Sequence, residues 1–348
     1  MTGADSASGA ATVSVVIPAR NEAGYIRRCL EAVFANDYPA DLVEVIIADG
    51  RSDDGTRDVV ARTLAAHPGR RVTIIDNPAR TTPHALNLAI GASSGRFIVR
   101  VDGHSEIVPD YIRRCVELLQ TVPGAGCVGG VFENVAATPM GRVIAMALAS
   151  PFGVGNALYR LDGHEGPVDT VPFGAFPREV FATVGLFDED LVRNQDDEYT
   201  FRLRRAGYVV WLSPAIRVRY HTRASLGRMA RQFAQYGFWK VYVNRKHRVV
   251  TTVRQLVPPL FVAALIATAV AAATTAWGGT ALVALLIAYG LAALAAAVAK
   301  SRRPVEVAAL IASFFVLHLS YGAGYLRGLG RFVLLNRPPA ASDAALTR

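Results

Sequence analysis

The chain of 348 residues is long enough for one large domain or two smaller ones. It is 52% hydrophobic with a mean hydropathy of +0.28, too apolar for an ordinary soluble enzyme, so part of it is expected to sit in lipid. Its net charge of +9 comes with no nucleic-acid recognition fold, so nucleic acid is not an expected partner.

Residues 1–12 hold neither a basic n-region nor an apolar core and read as a disordered tail rather than a signal peptide. VSVVIPAR (13–20) reads as a buried strand, and Ile26, Leu30, Val33 and Phe34 then take helical spacing. LVEVIIADG (42–50) is the next strand, followed by a helix from about Asp53, a strand VTIID (72–76) and a helix from about Thr82. GRFIVRVDG (95–103) completes the set. Strands alternating with helices predict an α/β fold, a parallel sheet with helices on both faces. Ligands bind beyond the carboxyl ends of such strands. The first strand ends at Pro18 to Glu22, the second at Asp49 and the later one at Asp102 and His104, so three strand ends bring polar groups to one edge. Cys29, Cys115 and Cys127 fall in no metal-ligand spacing and read as reduced packing residues of a cytosolic compartment.

Residues 217–254 carry ten Lys or Arg and no Asp or Glu. Within them, Leu226, Met229, Phe233, Tyr236 and Val243 follow three-four spacing, an aromatic and basic helix suited to anionic headgroups. Packing on the catalytic domain is the alternative. The 45 residues from Gln255 to Ala299 carry no formal charge, too long for one span of about 20 residues. Trp277-Gly278-Gly279 is expected to divide them into helices of roughly 256–276 and 280–299. A third apolar stretch runs from Val305 to Leu326, interrupted by Glu306 and His318. The chain thus divides into a domain at 13–216, a basic interfacial segment at 217–254, a transmembrane region of about three helices at 255–335 and a tail at 336–348. A hydrophobic helical core in a soluble domain is the competing reading of the apolar run.

SVVIPARNE (14–22), ADGRSDDGT (48–56), the VDGH tetrad (101–104) and NQDDEYTFRLRRAG (194–207) together resemble glycosyltransferase family 2. SPFGVGNALYR (150–160) and QFAQYGFWK (232–240) are similar to its membrane-anchored branch, which includes a succinoglycan-biosynthesis glucosyltransferase. The resemblance implies a Rossmann-like GT-A domain and inverting transfer of a hexose. The donor would be a nucleotide sugar, UDP-linked, and the acceptor a lipid-linked polyprenyl glycan. It places the chain in polysaccharide biosynthesis at the bacterial cytoplasmic membrane, multi-pass, with its catalytic domain toward the cytoplasm and other polysaccharide-assembly proteins as partners.

By the same resemblance, Asp49 contacts the donor base, Pro18, Ala19 and Glu22 line the nucleoside pocket, and Arg80 faces base or diphosphate. Asp54-Gly55-Thr56 also reads as a turn and helix start. Asp102 and His104 occupy the family's DxD position, with His in place of the second carboxylate. Residues i and i+2 of an extended segment point the same way, so both can face one divalent cation, Mn2+ or Mg2+. His221 is a further candidate for metal or phosphate, or a structural histidine. Asp196 aligns with the family's general base, Gln195 standing where the family has Glu; Asp196 and Asp197 equally read as helix caps. Gly174, Ala175 and Phe176, with Asp197, are assigned to the acceptor. Gln235 to Trp239 keeps the Gln and Trp of the processive QxxRW motif but lacks its Arg, which favours single-sugar addition. The rival readings are a polyprenyl-phosphate sugar transferase and a non-catalytic scaffold of a polysaccharide export complex.

Overall fold

The structure, a computed structural model, describes residues 11–136, 138–161, 163–221, 225–340 and 343; the side chains of Tyr220 and His221 lie outside that description. The chain forms two compact units. One takes Met1–Phe132, His164–Glu189 and Tyr199–Tyr220, the other Glu133–Gly163, Asp190–Glu198 and His221–Arg348.

The elements begin with β1 (Val13–Ala19), α1 (Ile26–Phe34), β2 (Val43–Asp49), α2 (Thr56–Ala65), β3 (Arg71–Asp76) and α3 (Thr82–Ala92). They continue with β4 (Phe97–Arg100), β5 (Ser105–Ile107), α4 (Tyr111–Thr121) and β6 (Ala125–Val135). Next come α5 (Pro139–Leu148), α6 (Pro151–Val154), β7 (Gly166–Pro167), β8 (Ala175–Pro177), α7 (Glu179–Val184), α8 (Gln195–Arg205) and β9 (Val209–His221). Helices α9 (Leu226–His247), α10 (Val257–Thr274), α11 (Ala276–Lys300) and α12 (Pro304–Gly328) follow.

In the first unit, β3, β2, β1 and β4 are parallel neighbours, as the strand-helix alternation predicts. The sheet then departs from the expected all-parallel form. It continues β8-β6-β9-β5, with β8 antiparallel to β4 and to β6, and β5 antiparallel to β9. Val13, Val15, Ile17 and Ala19 of β1 join α1 and α4 in one core, and α3 packs on β1 and β2. Each such buried aliphatic side chain contributes about 1.5–3 kcal/mol. Cys29, Cys115 and Cys127 are free and buried.

The second unit holds the apolar helices. Among the described residues three segments, Val253–Thr274, Ala276–Lys300 and Pro304–Leu334, are long and apolar enough to cross a membrane, with mean hydropathies of 2.2, 2.5 and 1.7. Only 11% of the most apolar window is buried in each of the first two, so the soluble-core reading fails: Leu260, Val270, Ile287 and Leu291 are bare. A continuous apolar face of this kind in water marks an interaction surface or an aggregation hazard; in hydrocarbon it is simply solvated. The break between α10 and α11 falls at the extended Thr275 rather than at Trp277-Gly278-Gly279. Gly278 serves a different purpose there, since a Cβ on it would lie 2.1 Å from the carbonyl carbon of Ala271.

Helix α9 packs along α12. Glycine allows the approach, because a Cβ on Gly324 would sit 2.0 Å from the carbonyl oxygen of Ala234, and one on Gly237 2.1 Å from that of Tyr321. Arg245 of α9 donates to the carbonyl of Phe332 (2.6 Å), satisfying one of the acceptors that a helix end leaves open. Gly324→Ala forces these backbones apart and is expected to cost about 3 kcal/mol, the upper part of the range for overpacking. Thermal unfolding in detergent would read this as a drop of several degrees.

Candidate active site

Asp49, the last residue of β2, is 1% exposed and faces Ala19 of β1 in register. Its carboxylate accepts hydrogen bonds from the Ser52 N–H (3.2 Å), Ser52 Oγ (2.5 Å) and Arg57 Nε (2.6 Å). Arg57 also bridges to Asp76 at the end of β3, and this guanidinium holds the Asp76 carboxyl below its ordinary range. The loops after β1 and β2 are stitched together. Asn21 donates through Nδ2 to Asp53 (2.9 Å) and accepts from its N–H (3.1 Å), while the Glu22 N–H donates to Thr56 Oγ1 (2.8 Å). The Ala23 N–H donates to Asp54 (3.0 Å). Burial alone would raise the Asp54 carboxyl; donors from Thr56 and Ala23 outweigh it and lower it. Gly55, with φ of +89°, makes the predicted turn, and α2 starts at Thr56.

Arg100, the last residue of β4, and Asp102 just past it form a two-point pair, Nε to Oδ1 at 2.8 Å and Nη2 to Oδ2 at 3.3 Å. Arg100 is 3% exposed and its guanidinium lies 5.6 Å from the centre of the Phe173 ring. Two residues on, His104 Nδ1 lies 3.0 Å from Glu22 Oε1, and Glu22 is 3% exposed. A carboxylate behind one ring nitrogen fixes the tautomer and leaves Nε2 as the lone-pair atom, the usual arrangement behind a metal-binding histidine. Among the described residues no group of three or more His, Cys, Asp or Glu side chains forms a metal cage. The segment is not the extended one expected: the Ser105 N–H donates to the Asp102 carbonyl (2.8 Å) and closes a turn through Gly103 and His104, so the alternation of a strand does not apply. What fits a divalent ion with further ligands from substrate phosphates and water is the chemistry of the donors, a carboxylate oxygen and an imidazole nitrogen. Cys29 is no competing ligand: burial, with Asp102 and Glu22 nearby, pushes its thiol far up. The His221 side chain lies outside the described residues.

Pro18 and Ala19 are buried at the end of β1, and Arg80 is exposed in the left-handed region with φ of +62°. Gly174, Ala175 and Phe176 lie in and beside β8, in the middle of the sheet. A Cβ on Gly174 would meet Cys127 Sγ at 2.5 Å, and the Phe176 ring packs against Phe181, Phe187 and Tyr199. Packing within the first unit accounts for these three residues.

The acidic run belongs to the second unit. Helix α8 starts at Gln195, so Asp196, Asp197 and Glu198 lie in its first turn, where the helix dipole favours negative charge. Asp196 is half-buried. Asp197 is bridged by Lys240, and Glu198 Oε1 lies 2.9 Å from His247 Nε2.

The succinoglycan biosynthesis protein ExoA of Rhizobium meliloti is 32% identical to this chain over 324 residues, covering 90% of this chain and 94% of that protein. The chain belongs to glycosyltransferase family 2. A sequence model of the family described as "Glycosyl transferase family 2" matches residues 14–185 of this transferase. A Methanococcus voltae relative, a dolichyl N-acetyl-alpha-D-glucosaminyl phosphate 3-beta-D-2,3-diacetamido-2,3-dideoxy-beta-D-glucuronosyltransferase, is 28% identical over 67% of the chain and 74% of that protein. The mannosyltransferase PcManGT of Pyrobaculum calidifontis has a similar fold, with a TM-score of 0.60 at 21% identity over 92% of this chain and 88% of that one. The transferase is thus a GT-A domain followed by helices, three of which are long and apolar enough to span a membrane.

Sequence reading missed the basic partners of the transferase's acids: Arg57 for Asp49, Arg100 for Asp102, Lys240 for Asp197 and His247 for Glu198. Arg100 alone left a signal, as a lone cation inside the buried run Phe97 to Val101. A charge there needs a partner close by.

Proposed function

We propose that the chain is a membrane-anchored inverting hexosyltransferase. It moves a sugar from a UDP-linked donor to a lipid-linked glycan at the cytoplasmic face of the bacterial membrane, for polysaccharide assembly. The observation that carries this reading is the pair of oriented carboxylates, Asp49 at the end of β2 and Asp102 past the end of β4, on the two parallel strands that flank β1, each held by an arginine. The ExoA and Methanococcus relatives, named for succinoglycan biosynthesis and for a dolichyl-linked sugar phosphate, support a glycan or lipid-borne acceptor.

In this reading Asp49 accepts the imide N–H of the base, its remaining lone pairs fixed by Ser52 and Arg57. Pro18, Ala19 and Glu22 line the nucleoside, and Arg80 reaches the diphosphate. Asp102 and His104 hold a divalent cation, with His221 as a further ligand. PcManGT, solved with GDP-Man and Mn2+, supports the metal. When bound, the cation offsets charge on the departing nucleotide. Asp196 removes the proton of the acceptor hydroxyl as it attacks the anomeric carbon. Gly174, Ala175 and Phe176 back the acceptor side by packing.

The test incubates full-length protein with membrane lipid extract, Mn2+ and a panel of UDP- and GDP-sugars, with mass spectrometry of the lipids. A hexose increment from a UDP-sugar is expected. Transfer from GDP-sugars alone would overturn the donor assignment. Neither product nor nucleotide release from any donor would overturn the enzymatic reading in favour of a scaffold.

A further inference from the structure

We propose that Lys240 and His247 of α9 are positioning residues for Asp196, gripping the two acids that follow it so that the membrane-helix unit sets the direction of the base. This rests on the assignment of Asp196 above. Lysine is almost never fully buried unless paired, yet Lys240 is 0% exposed, bridged to Asp197 and 3.5 Å from Thr252 Oγ1. His247 stands seven residues on, two helical turns along the same side, and meets Glu198, also 0% exposed. The same helix holds the approach to α8. Gln235 accepts from Arg193 (3.1 Å), and Tyr242, seven residues beyond Gln235, donates to Asp190 (3.0 Å). Leu191 and Val192 are buried in a core with Met229, Phe233 and Trp239 of α9 and with Leu317 and Tyr321 of α12.

Four side chains of α9 therefore fix residues 190–198, and α9 itself is seated on α12. Successive helical residues point about 100° apart, so Asp196, Asp197 and Glu198 fan around the first turn. Holding Asp197 and Glu198 fixes the roll of this turn and with it the direction in which Asp196 leaves the helix. A salt bridge serving stability alone can be exchanged for apolar residues without loss. One that aims a base cannot, because a displacement of about 1 Å costs about 100-fold in rate.

The experiment uses full-length protein in nanodiscs and compares Lys240→Met, Lys240→Arg, Lys240→Met/Asp197→Leu, His247→Ala and Asp196→Asn. Each is assayed for unfolding temperature, kcat and donor KM. Lys240→Met is expected to lower kcat about 100-fold with donor KM within about threefold of wild type. Lys240→Arg is expected to recover most of that loss. The double variant regains stability but not kcat, and His247→Ala lowers kcat about tenfold through Glu198. Wild-type kcat in the double variant makes the pair merely structural and overturns the proposal. Should neither Lys240→Met nor the double variant fold, wild-type kcat in His247→Ala overturns it. Wild-type kcat in Asp196→Asn instead overturns the base assignment, whatever Lys240 does.

Discussion

Asp196→Asn is expected to lower kcat for sugar transfer about 1000-fold while leaving donor affinity within about threefold. A general base typically contributes 100- to 10,000-fold, and the amide cannot take up the acceptor's proton. The residue sits one position inside α8, so its loss as an anion near the helix start costs about 0.3–1 kcal/mol. A thousandfold fall in rate corresponds to about 4 kcal/mol of barrier. Steady-state transfer assays with donor binding by calorimetry separate the two. Full turnover in a folded, donor-binding variant would remove Asp196 from the mechanism.

The second large effect belongs to Asp102. Asp102→Ala removes a proposed cation ligand and also takes the carboxylate from Arg100, which is buried and pairs with it at two points. Breaking a buried pair from one side costs about 3–5 kcal/mol, so unfolding at a lower temperature should accompany loss of Mn2+-dependent UDP binding. Arg100→Met/Asp102→Asn separates the two consequences, because it removes the stranded charge as well as the ligand. Stability should return in the double variant while metal-dependent binding does not. Mn2+-dependent UDP binding at wild-type strength in Asp102→Ala would exclude the residue from the metal site.

Residues that carry their own periodicity were legible in the sequence. β1, β2 and β4 are aliphatic runs, and α1 follows apolar three-four spacing through Ile26, Leu30, Val33 and Phe34. The short antiparallel strands were not. β5 and β8 have three residues each and β7 two, too short for an alternation to stand out. Gly278 illustrates a different failure: in sequence a glycine after Trp reads as a turn, but here it marks a close helix approach next to one. Partners distant in sequence were the least legible. Lys240 lies in a basic stretch that reads as headgroup-facing, and only the fold brings Asp197, 43 residues away, against it. The strand-end acids could be named because their motifs are local; of the cations that orient them, Arg100 stands two residues away on β4 itself, whereas Arg57 comes from the first turn of α2.

The proposed reaction is a single displacement at the anomeric carbon, with Asp196 taking the acceptor's proton. Proton NMR of the first product formed from an α-linked UDP-sugar tests it most directly. A β-linked sugar is expected; an α-linked product would rule out a single displacement.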